Sequence, residues 1–234
     1  AQPLKFTKNN IETILLNTTV TNELIKLMNK KSKFLFISSS ELYSGLIKSK
    51  LKEEDIGNTN PSHSRSCYID SKRCGEAIVN AYRKKGYDAK SARLCLAYGP
   101  GVKKDDNRVL NEFIKKGMLN KKITISGGEN NIRAYIYITD AIKMLINILF
   151  FSKENVYNVG GNKKISILGL AEKIAKELKV PFINKKDKKI NQGAPNHVQI
   201  DIGKYKKEFG NFKFTDIKKG LNKTIEWHNE IIKK

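Results

Sequence analysis

Long apolar runs and clustered metal-binding side chains are absent from this sequence of 234 residues. No apolar run reaches the roughly 20 residues that a membrane-spanning helix needs. The longest candidate, at 141–151, carries Lys143 and instead predicts a core-facing helix. Cys67, Cys74 and Cys95 lack metal-ligand spacing, and their odd number predicts reduced thiols in a cytoplasmic protein. Because the histidines are also isolated, we expect neither a membrane protein nor a metal site.

Acidic residues are also few. Asp and Glu total 23 against 45 Lys and Arg, which gives a net charge of +22. Such a charge raises the question of nucleic-acid binding. The excess is almost entirely lysine, spread in doublets such as Lys84-Lys85, and no recognised nucleic-acid motif accompanies it. We interpret it as a biased composition on solvated faces that helps to attract an anionic substrate, with no specific nucleic-acid partner.

Short apolar runs alternate with helix-length segments, which predicts an α/β fold with a parallel sheet. The C-terminal third has shorter strands and more polar helices, and predicts an appended lobe. A first helix is expected over 10–29, with an apolar face of Ile11, Ile14, Leu15, Leu24, Ile25 and Leu27. Further helices are expected at about 68–85, 107–119, 140–149, 167–179, 202–209 and 215–232, and strands at 34–38, 89–97, 122–125, 133–138, 156–159, 182–185 and 198–200.

The most informative stretch begins with the apolar strand at 34–37, which leads into the sequence SSSELY at 38–43. Tyr68 and Lys72 follow on a helix, four residues apart and therefore on one face. A phenol with an unperturbed pKa near ~10 is a poor base at neutral pH, and a nearby ammonium lowers that pKa. With a serine hydroxyl at the strand end, these groups form a candidate proton-transfer site for a sugar or alcohol hydroxyl.

Five segments stand in a distinctive order and spacing: FLFISSSELY, YIDSK, RLCLAYGPG, RAYIYITDA and VYNVGG. They resemble the successive signatures of the extended short-chain dehydrogenase/reductase family, the NAD-dependent nucleotide-sugar epimerases, dehydratases and decarboxylases. The resemblance implies a doubly wound, Rossmann-like parallel-sheet domain, NAD as cofactor, a UDP-sugar substrate and a homodimer. It places the partial NAD-binding domain at 1–102 and 133–163, and a smaller substrate lobe at 103–132 and 164–234.

The resemblance also implies roles for single residues. Ser39 matches the catalytic serine or threonine, and Tyr68 the general base. Lys72 matches its partner, which also holds the nicotinamide ribose, and Glu41 matches an acid used in several branches. The full set of implied contacts is Tyr68, Lys72, Ser38 and Leu96 for the cofactor and Ser40, Arg65, Arg108 and Arg133 for the substrate. As alternatives, Ser38 and Ser40 only finish the strand, and Arg133 makes a surface ion pair.

Among the branches, UDP-glucuronate decarboxylases are the most similar, on the segments SSSELY, GNTNPSHSRSCYIDSKR and NRVLNEFI…NNIRAYIYITD. This similarity implies oxidation of the sugar 4-hydroxyl by NAD, loss of carbon dioxide from the 4-keto acid, and return of the hydride. Ser40 stands where 4,6-dehydratases have Asp, which argues against a dehydratase. Leu96 replaces a substrate-contacting Asn. Val198 and Asn191 stand where branches carry a second phosphate-binding Arg, with Lys189 nearby.

Two other classes of function stay open beside this enzyme. One is a UDP-sugar 4-epimerase, and the other is an inactive binding protein that keeps the second half of the fold. A glycine-rich phosphate-binding turn (G-x-G-x-x-G or G-x-x-G-x-x-G) is not found in the sequence. In the resembled family this turn lies ahead of the segments seen here. Because the chain begins Ala-Gln-Pro without Met or a signal peptide, we expect a processed chain or a fragment.

We predict that the chain as given binds NAD weakly, because the backbone N–H groups of a glycine-rich turn supply the pyrophosphate contacts. Calorimetric titration with NAD is expected to show no micromolar affinity. A micromolar dissociation constant for this chain would contradict the prediction.

Overall fold

A computed structural model describes residues 2–48, 50–185 and 197–233. Lys189 and Asn191, named above, lie outside the described residues, as does the side chain of Val198. The helices are α1 (Pro3–Lys8), α2 (Asn10–Asn17), α3 (Thr19–Lys26), α4 (Ser66–Lys84), α5 (Val109–Asn120), α6 (Ile138–Phe151), α7 (Ile167–Leu178), α8 (Gly203–Phe209) and α9 (Ile217–Lys233). The strands are β1 (Lys33–Ser39), β2 (Asp88–Leu94), β3 (Leu96–Tyr98), β4 (Ile123–Ser126), β5 (Ile132–Tyr137), β6 (Val156–Val159), β7 (Lys164–Ser166), β8 (Phe182–Lys185) and β9 (His197–Val198).

The central sheet has the order β1-β2-β6, and its neighbouring strands are parallel. Successive residues of a strand point to opposite faces. Phe36 of β1 packs with Val79 of α4 on one face, and Leu35 packs against the cluster of Met144 and Ile148 from α6 on the other. Helices therefore cover both faces, as the predicted doubly wound α/β architecture requires.

The single strand predicted over 89–97 is wrong, because the chain changes sheets at Cys95. β2 pairs with β1 and β6, whereas β3 pairs with β5 in a second sheet. That second sheet has the order β3-β5-β7, and β7, which was not predicted, runs antiparallel to β5. A strand-like segment carries no information about which strand is its neighbour, so the sequence pattern conceals the change.

The single helix predicted over 10–29 is also wrong, because a break at Thr18 divides the segment into α2 and α3, and α1 precedes it across a further break at Asn9. The Asn9 side-chain amide donates to the Lys5 carbonyl at 2.9 Å, and the Thr18 hydroxyl donates to the Ile14 carbonyl at 2.8 Å. Short polar side chains compete with the backbone in this way. Hydrophobic periodicity does not register that competition.

The apolar face predicted for this segment is mostly exposed. Ile25 is fully buried, but its neighbours Ile11, Ile14, Leu15, Val20 and Leu24 are exposed, and we call these five side chains the N-terminal apolar surface. Clustered exposed apolar side chains indicate an interaction surface.

A second core lies in the C-terminal part of the chain, around Ile114, Ile123, Leu170 and Leu221. It joins α5, α7 and α9 to β4. The Ser166 side chain caps α7, accepting from the Gly169 N–H at 3.0 Å. The division into two domains stays a prediction.

Two expected absences concern membranes and metals. Across the part of the chain that the structure describes, the helices lack the combination of length and apolarity that crossing a bilayer requires. Within the same residues, no three His, Cys, Asp or Glu side chains come together as a candidate metal site.

Gly75 sets the distance between α4 and the sheet. A β-carbon at this position would lie 2.7 Å from the Asn17 carbonyl oxygen and would overlap the Phe36 ring. Because α4 also carries Tyr68 and Lys72, this close approach brings both side chains to the end of β1.

We predict that Gly75→Ala lowers the free energy of unfolding by about 1–3 kcal/mol, because overpacking outweighs the gain of up to ~1 kcal/mol in helix propensity. Chemical denaturation measures the change. Gly169→Ala is the control, because its β-carbon would come no closer than 3.2 Å to a neighbour, the Ser166 hydroxyl oxygen. Equal effects from both variants would contradict the packing argument.

Candidate functional site

A cavity of about 610 Å³ opens beside the carboxyl end of β1 and the segment that links β2 to β3. Ligands of parallel α/β sheets bind at the carboxyl ends of the strands. Every residue to which the resemblance assigned a contact lines this cavity: Ser38, Ser39, Ser40, Glu41, Arg65, Tyr68, Lys72, Leu96, Arg108 and Arg133. The structure thus brings the predicted residues together, while their individual roles stay predictions.

Ser39 is the last residue of β1 and is buried. Its hydroxyl oxygen accepts the Glu41 backbone N–H at 3.2 Å, which starts the 3₁₀ helix Ser40–Tyr43. The same side chain is hydrogen-bonded to the Tyr68 side chain. Lys72 lies one helical turn further along α4, and its ammonium donates to the Ile37 carbonyl at 2.7 Å.

The electrostatics of this triad differ from the expectation. Burial raises the pKa of the Tyr68 phenol, and the hydrogen bond from Ser39 opposes that rise only in part. The predicted lowering by Lys72 is wrong for this structure, because the Lys72 nitrogen lies 5.8 Å from the centre of the Tyr68 ring and is bonded to the strand. Burial also lowers the pKa of Lys72 to about 8. Near neutral pH the phenol is therefore protonated, and Lys72 keeps most of its charge.

Phe6 of α1 forms a wall of the cavity that sequence reasoning missed. Its ring stacks on that of Tyr68, with ring centres 4.5 Å apart and planes 9° from parallel. The Arg65 guanidinium covers the Phe6 ring at 5.3 Å and forms a two-pronged ion pair with Glu41. An aromatic residue ahead of the first predicted helix gave no signal of a site, because only the tertiary fold brings it to Tyr68.

Two further arginines line the cavity. Arg108 holds both carboxylate oxygens of the buried Asp106, at 3.0 and 3.1 Å from Nε. Arg133 donates to the Ile132 carbonyl at 2.9 Å, and burial lowers its pKa. A guanidinium is suited to phosphate and carboxylate groups because its donors form a planar fork. This wall is therefore chemically suited to an anionic ligand.

The comparisons with known proteins agree with this geometry. A model of the NAD dependent epimerase/dehydratase family matches residues 3–160. The chain belongs to this family. The predicted fold and family are thereby confirmed. The predictions that the family is one of enzymes and that its cofactor is NAD are confirmed as well.

Curated relatives include UDP-glucuronic acid decarboxylases. The decarboxylase 1 of Arabidopsis thaliana is 28% identical over 235 residues, which cover 99% of this chain and 54% of the relative. The decarboxylase 1 of Xenopus tropicalis is 28% identical over 234 residues, covering 97% of this chain and 54% of the relative. The chain thus spans about half the length of these relatives.

Solved structures give the same fold. UDP-glucuronic acid 4-epimerase from Bacillus cereus, in complex with UDP-glucuronic acid and NAD, has a TM-score of 0.76 at 25% identity, over 92% of this chain and 68% of its own. The epimerase Mth375 from Methanothermobacter thermautotrophicus has a TM-score of 0.85 at 19% identity, over 97% of this chain and 69% of its own. The second likeness shows the fold alone.

The cavity also fits the reactive half of an NAD cofactor. The Ser38 hydroxyl oxygen lines it and is buried without a hydrogen-bond partner among the described residues. Such an atom is costly unless a ligand satisfies it. The Lys72 ammonium donates to the carbonyl of Ile37, the residue before Ser38, and Leu96 adds an apolar surface to the cavity. These groups match a ribose hydroxyl and a flat, partly apolar ring.

Proposed function

We propose that this chain carries the catalytic half of an NAD-dependent enzyme that oxidises a nucleotide sugar at C4 and then decarboxylates or epimerises it. The preferred activity is that of a UDP-glucuronate decarboxylase, and UDP-sugar 4-epimerase is the second candidate. The observation that carries the proposal is that Ser39, Tyr68 and Lys72, with Lys72 one turn beyond Tyr68 along the same helix, line one cavity together with three arginines.

Within this proposal each side chain has a distinct task. Tyr68 accepts the proton of the sugar 4-hydroxyl, and Ser39 holds the same oxygen by a hydrogen bond. Lys72 stabilises the phenolate with its positive charge and binds the cofactor ribose. NAD, when bound, takes up the hydride from C4 and later returns it. Because burial raises the pKa of Tyr68, the proton transfer requires the Lys72 ammonium to approach the phenol oxygen.

Arg65 and Glu41 bear on the choice between the two activities. The Arg65 guanidinium covers the Phe6 ring that stacks on Tyr68, and Glu41 occupies its guanidinium fork. A sugar carboxylate entering the cavity competes with Glu41 for this fork, which leaves Glu41 available as an acid or base. That exchange suits a glucuronate substrate, and it favours the decarboxylase over an epimerase of neutral sugars.

The relatives support the proposal without deciding it. Decarboxylases are the first curated relatives, whereas the solved structure at 25% identity is a UDP-glucuronic acid 4-epimerase. Both kinds of protein are named for the same sugar acid, so UDP-glucuronate is the substrate to test first. Product analysis separates them, because a decarboxylase releases carbon dioxide and an epimerase does not.

We predict that Tyr68→Phe lowers turnover by about 10²–10⁴, because it removes the proton acceptor and keeps the ring. Ser39→Ala is expected to cost roughly tenfold, since it removes one hydrogen bond worth ~0.5–1.5 kcal/mol. Lys72→Ala slows turnover and also weakens NAD binding. Turnover of UDP-glucuronate, UDP-glucose and UDP-galactose by the intact protein measures all three.

Tyr82→Phe is the matched control, because Tyr82 lies on the same helix but bonds Asn22 outside the cavity. It is expected to keep turnover close to that of the parent. If Tyr68→Phe keeps turnover as well as this control does, the assignment of the site is wrong.

We also propose a homodimer formed through the N-terminal apolar surface and the neighbouring α4, the helices that pair across dimers of the resembled family. Exposed leucine and isoleucine side chains on α2 and α3 gain stability when a second copy covers them.

We predict that Leu15→Glu shifts the protein toward monomer, because a carboxylate would have to be buried at the interface. Light scattering at several concentrations measures the mass. Leu119→Glu is the control, since Leu119 is equally apolar and exposed but lies on α5. A parent protein that stays monomeric at high concentration would contradict the dimer itself.

A further inference from the structure

Arg93 is a buried cation at the centre of the sheet. It lies on β2, the middle strand, in register with Ser38 of β1 and Asn158 of β6. Its side chain is only 4% exposed. A buried charge is costly unless it is paired and fully hydrogen-bonded, so its partners indicate what it is there to hold.

One side of the Arg93 guanidinium holds helix α4. Nε lies 2.9 Å from Oε1 of Glu76, and Nη2 lies 2.8 Å from Oε2, which forms a forked ion pair. Glu76 follows Lys72 by four residues, as Lys72 follows Tyr68. The three side chains therefore lie along one face of the helix.

The other side of the guanidinium holds the segment that follows Ser39. Nη1 donates to the Tyr43 hydroxyl oxygen at 2.9 Å, and to the carbonyls of Glu53 at 2.9 Å and Asp55 at 3.1 Å. Tyr43 in turn donates to Asn158 at 2.7 Å. One side chain therefore joins α4, the 3₁₀ helix and the loop segment around Glu53 and Asp55 to the central strand.

The surroundings of Lys72 explain why the ion pair between Arg93 and Glu76 matters for its charge. Its ammonium faces the Ile37 carbonyl and the Phe36 ring from β1, and the Tyr68 ring and Glu76 from its own helix. Among the described residues the structure gives Lys72 no ion pair. Glu76 is the carboxylate that acts on it, and Arg93 holds both oxygens of that carboxylate.

We infer that Arg93 is a positioning residue of the Ser39–Tyr68–Lys72 site, which fixes α4 against the Ser39 segment and withholds the Glu76 carboxylate from Lys72. The inference rests on the proposed function for its catalytic meaning, but the charge state of Lys72 can be measured without turnover.

The sign of each change follows from the charges. Burial lowers the pKa of Lys72 and Glu76 raises it. Glu76→Gln removes the raising charge, so the Lys72 pKa falls below its parent value of about 8. Arg93→Gln leaves Glu76 without its partner, so Lys72 gains an attracting carboxylate and its pKa rises.

The experiment labels the folded protein with acetic anhydride at a series of pH values, digests it, and measures the acetylation of Lys72 by mass spectrometry of the peptides. We expect the midpoint to move down in Glu76→Gln and up in Arg93→Gln, each by roughly half a unit or more. Should Arg93→Gln fail to fold, the downward shift in Glu76→Gln decides the matter alone.

Arg73→Gln is the matched control. Arg73 lies on the same helix and also bonds carbonyls of the same segment, those of Leu42 at 2.9 Å and Gly57 at 2.8 Å, but its ion pair is with Asp70 and not with Glu76. It is expected to lower the melting temperature and to leave the Lys72 midpoint in place. The inference is overturned if Glu76→Gln leaves the midpoint unchanged, or if Arg73→Gln shifts it as much as Arg93→Gln does. Neither result depends on whether the protein turns over any UDP-sugar.

Discussion

The contact between α4 and β1 is the constraint on which the rest of the site depends. The strand supplies Ser38 and Ser39, the helix supplies Tyr68 and Lys72, and the contacts of these helix side chains with the strand, such as the hydrogen bond from Lys72 to the Ile37 carbonyl, require the two elements to lie unusually close. A glycine at position 75 makes that approach possible, since the Asn17 carbonyl and the Phe36 ring occupy the space of a side chain. The chemistry proposed for Tyr68 is therefore a consequence of backbone packing one and two turns away along the helix.

Burial has opposite consequences for the two titrating groups of the site. It favours the neutral form of both, which raises the pKa of the Tyr68 phenol and lowers that of Lys72. The two shifts move the two pKa values apart and place that of Tyr68 above that of Lys72. A phenolate paired with an ammonium requires the opposite order. Ligand binding must supply the remaining stabilisation, so in the absence of ligand the site rests in a protonated state.

Sequence reasoning predicted the sheet, its covering helices and the gathering of the site residues, because these depend on local periodicity and on motifs with fixed spacing. The break at Thr18 escaped it, since side-chain competition for a helical carbonyl leaves the apolar period intact. The switch of sheets at Cys95 escaped it because strand partners are set by tertiary packing. Phe6 and Arg93 were overlooked because each acquires its role only from groups distant in the chain: Phe6 belongs to no motif, and Arg93 opens the segment RLCLAYGPG without being assigned a role there.

The switch at Cys95 has a mechanical consequence. Cys95 still donates its N–H to Val159 of the first sheet at 2.9 Å, while Leu96 already pairs with Tyr135 of the second. Both residues line the cavity. A rotation of one sheet relative to the other would therefore pivot at residues that line the site, and hinge motions of this kind are absorbed by a few residues at the ends of elements. A ligand that draws the two sheets together would change the shape of the cavity at the residues that join them.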